Sequence, residues 1–165
     1  MKRNLARTVG LVGAVVLGLQ TSRAAAAGLD TAAPNGRVEV TFTKWLRVSN
    51  PAFMQGVTGG DVEGVFAGEA FVNVARANPA LPAVSNLEVI YGVQATDPEQ
   101  SFTALLRGGA ALGRAQLDGR ILAGWRIGSE VHVEWARFAS PSENCPTPPA
   151  DSLPFCFVGT ITIQH

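Results

Sequence analysis

The chain is short of most of what a catalyst, a metal protein or a nucleic-acid binder relies on. In 165 residues it has two cysteines, two histidines and only 16% charged residues. Basic and acidic side chains balance at 13 each, so the basic excess or stripe of a nucleic-acid binder is missing. No apolar run reaches the 18 or so residues that a helical membrane span needs. With 47% hydrophobic residues the chain is too apolar, and too weakly charged, to be disordered. Cys145 and Cys156, with ten residues between them and only His132 and His165 to assist, argue against a zinc site. The C-x-x-C spacing of redox pairs is also absent. There is no G-x-S-x-G elbow, phosphate loop or H-E-x-x-H pair. Nothing in the sequence calls for a metal or a cofactor.

What is present begins with a leader. Lys2, Arg3 and Arg7 precede an apolar run from Val9 to Leu19, and Ala24 to Ala27 offer the small residues a signal peptidase reads. The expectation is a secretory signal peptide over 1–27 and a secreted, extracytoplasmic protein. No cysteine lies near the cleavage site, so no lipid anchor is expected, and Lys2-Arg3-Asn4-Leu5 is a poor twin-arginine match. The leader carries four basic residues and no acid. Cleavage therefore lowers the basic count from 13 to nine and leaves a mildly acidic domain of charge −4. Such a domain has no built-in attraction for nucleic acid or anionic lipid. In an oxidising compartment Cys145 and Cys156 read as a disulfide closing the proline-rich segment 146–155, a constraint of about 3 kcal/mol.

After a flexible lead-in over 28–36, residues 37–165 form one domain of short alternating strands. Val38, Val40 and Phe42 alternate with Glu39, Thr41 and Thr43. Gly59-Gly60-Asp61 predicts a turn into a strand over 62–66, with Ala67-Gly68 turning it into another over 69–75. Leu87, Val89, Tyr91 and Val93 share a face opposite Glu88, Ile90, Gly92 and Gln94. Residues 101–107 read as a strand ended by Gly108-Gly109. Residues 116–126 read as one long strand or as two around Asp118-Gly119. Val131, Val133 and Trp135 alternate with His132 and Glu134, and 157–164 alternates to the end. The fold class is all-β: about eight strands in a small antiparallel barrel, with a β-sandwich as the alternative. The barrel is preferred because the last strand, β-branched and alternating, suits pairing with the first. Glycines 64, 68, 92, 124 and 159 within strand patterns fit the coiling of a small barrel.

Two kinds of candidate site residue follow. Tyr91, Phe102, Trp125 and Trp135 fall on apolar faces and are either core filling or the lining of a ligand pocket. Glu88 and Glu134, with arginines 107, 120, 126 and 137, are charges set within strands. They form either an outer layer of cross-strand pairs or, were the barrel hollow and polar inside, a general base and an anion clamp. His132 stands beside Glu134 on the polar face.

Gly59 to Glu69, Leu87 to Tyr91, Phe102 to Leu105, Leu117 to Trp125 and Cys156 to Thr160 resemble stretches of exported bacterial proteins of no assigned role. The layout as a whole resembles the eight-stranded allene-oxide-cyclase-like and dirigent-like barrels. That resemblance implies proteins that steer or cyclise reactive apolar molecules, often as oligomers; no functional residue is carried over. The expected function is a secreted barrel module binding a small apolar molecule or a protein partner. A cyclase or isomerase and a structural assembly protein are the alternatives, and a homo-oligomer fits each.

Overall fold

The structure, a computed structural model, describes residues 36–75 and 84–165. The leader, most of the lead-in and part of the loop after Ala75 lie outside the described residues. Eight strands follow one another: β1 (Val38–Leu46), β2 (Phe53–Gly60), β3 (Gly64–Ala75), β4 (Val84–Ala95), β5 (Phe102–Ala111), β6 (Arg114–Gly124), β7 (Glu130–Ala139) and β8 (Phe155–Gln164). Each pairs antiparallel with the next, and β8 pairs with β1, so the sheet closes into an up-and-down barrel. Closure leaves no free edge for another chain to extend. The single short helix among the described residues is a 3-10 turn, Pro98–Gln100, capped by Asp97, whose carboxylate accepts from the Glu99 amide.

Strand count and closure agree with the alternation, but three elements differ from the expectation. The chain runs straight through Ala67-Gly68 as one strand, β3, and β2, which carried no sequence signal, supplies the eighth. Gly68 is in register with Tyr91 rather than in a turn. A Cβ there would lie 3.1 Å from Met54 Cε and 3.2 Å from Tyr91 Cδ1, so the missing side chain makes room for the tyrosine ring. Likewise β5 passes through Gly108-Gly109, and the turn falls at Leu112-Gly113. Asp118-Gly119 lies inside a continuous β6.

The inward-facing residues form one core that includes Val40, Phe42, Phe66, Val89, Tyr91, Leu106, Leu117, Val133 and Ile161. A second, smaller cluster lies outside the wall, where Trp45 packs against Cys145 and Cys156 with Phe138 and Val158 beside them. The two cysteines are at disulfide distance, their Cα atoms 5.9 Å apart, as an oxidising compartment favours. The loop they hold is stitched to the β1–β2 connection: Ser49 Oγ donates to Asp151 at 2.7 Å and Gln55 Nε2 to Ser152 at 3.0 Å. No described helix is long and apolar enough to cross a membrane.

Candidate functional site

The inward face of β1 does not end at Phe42. Strand periodicity carries it to Lys44, which pairs across with Gly56 of β2 and Phe157 of β8. Its side chain therefore enters the barrel, where only 2% of the residue is exposed. The chain has two lysines, Lys2 and Lys44, and a single tyrosine. The structure brings the second lysine and that tyrosine together: Lys44 Nζ hydrogen-bonds to Tyr91 Oη in the barrel interior.

Aromatic rings surround the amine. The ring centroids of Tyr91, Phe42, Trp135, Phe66 and Phe157 lie between 4.1 and 5.7 Å from Nζ. Tyr91 meets Phe66 edge-on at 4.8 Å, and Trp135 meets Phe157 edge-on at 4.6 Å. Gly159 makes this crowding feasible, since a Cβ there would lie 2.7 Å from Trp135 Cβ and 2.9 Å from Phe42 Cζ.

The electrostatics follow from the burial. Lys44 forms no ion pair among the described residues, and removal from water alone drives its pKa well below the ordinary lysine value. Ring faces return about 0.5–2 kcal/mol each to an ammonium. Burial thus moves the balance toward the neutral amine, while the ring faces pull the other way. Burial likewise pushes the Tyr91 phenol up, so it keeps its proton. The Trp135 indole N–H stands close enough to the phenol to pull slightly the other way, yet Nε1 closes no hydrogen bond of proper geometry and remains a buried donor without a partner. A desolvated amine, a phenol and an unsatisfied N–H thus share one apolar enclosure.

This enclosure lies toward the barrel end formed by the end of β1 and the starts of β2, β4 and β8. The inward residues Leu46, Leu87 and Trp135 near that end are half-buried rather than sealed. Trp135 also borders a hollow of about 680 Å³, open to solvent, whose other walls include Arg114, Gln116, Asp118 and Glu134.

Of the sequence candidates, Tyr91 and Trp135 meet around Lys44. Phe102 is buried toward the opposite end of the barrel, in register with Val93 and Gly124. Trp125 is not on a strand face: it sits in the turn after β6, packed against the core, with the Arg126 guanidinium 4.9 Å from its ring. The four aromatics do not line one pocket.

Glu88 and Glu134 both face outward. Glu88 pairs with Arg107 across β4 and β5 at 2.5 Å. Glu134 accepts from Gln116 Nε2 at 2.7 Å and lies 3.3 Å from His132 Nε2, whose Nδ1 is 2.7 Å from Asp118. The Asp118 hydrogen bond raises the His132 pKa, while the His132 contact lowers that of Glu134. With both ring nitrogens engaged, this imidazole has no lone pair free for a substrate. Arg120 reaches Glu130 at 3.5 Å, so these charges form an outer layer of cross-strand pairs. Arg126, in the turn after β6, instead donates to the Gly36 carbonyl, and Arg137 lies 5.2 Å from the Phe155 ring.

Parity alone points to Lys44, two positions beyond Phe42. The hydrophobic alternation, however, stops at Thr43, because a lysine ordinarily marks an outward position or a strand end.

No protein-family profile matches the chain, and no curated protein or solved structure is significantly similar to it.

Proposed function

We propose that this protein is an exported binding module whose barrel interior takes a small, largely apolar molecule beside Lys44. The observation that carries this reading is the meeting of the only lysine beyond the leader with the only tyrosine inside a ring of aromatic side chains. A fold needing only a core would be served by Met or Leu at this position, with no desolvated amine. An apolar enclosure with a few convergent polar atoms and shifted pKa values is the usual character of a small-molecule site. Sealed as it is, Lys44 becomes reachable only when a neighbouring ring such as Trp135 swings aside. The test is a thermal-shift screen of the mature protein with straight-chain C6–C12 alcohols, aldehydes and acids. Concentration-dependent stabilisation that Trp135→Ala abolishes is expected. No response from any chain length overturns the reading.

The cyclase or isomerase alternative draws on the same interior, with Lys44 in place of the outward-facing Glu88 and Glu134 as its base. An assembly role has its own support. The outer face of β2 to β4 carries exposed Phe53, Val57, Val65, Phe71 and Ile90, an apolar patch of the kind that marks contact surfaces. A homo-oligomer through this face predicts that sedimentation depends on concentration and that V57E/V65E abolishes the dependence; a monomer at all concentrations contradicts it.

A further inference from the structure

We infer that Lys44 captures an apolar aldehyde covalently, as a Schiff base. This rests on the reading of the interior as a ligand site and adds the chemical class of the ligand. A lysine amine attacks a carbonyl carbon only in its neutral form, and the burial of Lys44 with no ion-pair partner among the described residues favours that form. The phenol beside it is placed to handle the proton traffic. Attack by Nζ forms the N–C bond and breaks the carbonyl π bond, giving a carbinolamine. Tyr91 gives its proton to the departing hydroxyl and recovers one from nitrogen, so one water leaves and an imine remains. No oxidant or reductant is needed.

The surroundings fit this product. An imine is lost by hydrolysis, and the rings of Phe42, Phe66, Trp135 and Phe157 exclude water from the amine. Trp135 Nε1, without a partner, supplies a donor for the carbonyl oxygen of an arriving aldehyde. With no other lysine outside the leader, the amine is also chemically singular: a lysine adduct on the mature barrel has one place to form.

The experiment incubates mature protein at pH 7 with octanal and cyanoborohydride, which fixes any imine as a stable amine, followed by peptide mapping. A parallel sample is held unfolded in urea, and octanol replaces octanal in a thermal-shift arm. The expected result is labelling of Lys44 about tenfold or more faster in the native protein than in urea, where the amine is protonated. Labelling confined to the N-terminal amine, or faster in urea, overturns the Schiff base. If octanol and octanal then still stabilise the protein equally, binding in the interior stands without the covalent step. If neither stabilises it, the ligand site falls as well. K44M, which keeps the length and removes the amine, must lose the internal label, and the wild-type comparison decides the matter even if that variant does not fold.

Discussion

Lys44 contributes to the protein's response to pH on the alkaline side. Its pKa is lowered on folding, so between that value and the unfolded 10.5 the unfolded chain holds a proton the native state lacks. Stability therefore rises with pH through this window, and the penalty is largest below it. Lys44→Met should stabilise the protein by about 1–3 kcal/mol at pH 7, with the gain shrinking toward pH 10, as urea unfolding at a series of pH values would register. Tyr91→Phe does the opposite, by about 1–3 kcal/mol, because it strips the buried amine of its hydrogen-bond partner. The double variant should lose much less than Tyr91→Phe alone, and a coupling near zero in that cycle would mean the two side chains do not interact. The outer charges were legible by parity, since Glu88 and Glu134 stand opposite apolar neighbours. The inner amine was not, because the hydrophobic pattern labels a lysine as solvent-facing whatever its register.

At the scale of elements, two substitutions separate local preference from tertiary demand. Leu112 and Gly113 join β5 to β6 with φ of 52° and 74°, a two-residue turn that needs left-handed backbone at both positions. Leucine is poorly suited there and its side chain is exposed. Leu112→Asn should stabilise by about 1 kcal/mol in denaturant unfolding. Gly159→Ala should cost about 2 kcal/mol or more, since its methyl would press on Trp135 and Phe42 inside the barrel. The same two causes explain where the sequence misleads. Leu112 carries no turn signal, so the nearer Gly108-Gly109 draws the boundary to itself. Strand β2, Phe-Met-Gln-Gly-Val-Thr-Gly-Gly, has three glycines and no clean alternation. It is a strand because β1 and β3 pair with it on both sides. Gly68 reads as a turn, although the reason for a glycine is the Tyr91 ring beside it.

For the molecule as a whole, closure of β8 onto β1 turns alternating sequence into an inside and an outside. The outside is itself divided, with apolar side chains on β2 to β4 and the paired charges of Asp118, Glu130, His132 and Glu134 on β6 and β7. The closed barrel was legible as the preferred fold because an alternating, β-branched final strand suits pairing with the first, although alternation by itself fits a β-sandwich equally. The content of the interior was not, because it depends on which strands shear alignment brings together, and Lys44, Tyr91 and Trp135 come from β1, β4 and β7. The account stands or falls on the protonation state of that one amine. With lysine carrying a 13C label at Cε, the protein prepared without residues 1–27 gives a single side-chain signal whose shift can be followed from pH 5 to 11. The account predicts a midpoint well below 10.5, moving up to the ordinary value in urea. A native midpoint at the ordinary lysine value would mean that the amine sits in water, and would contradict it.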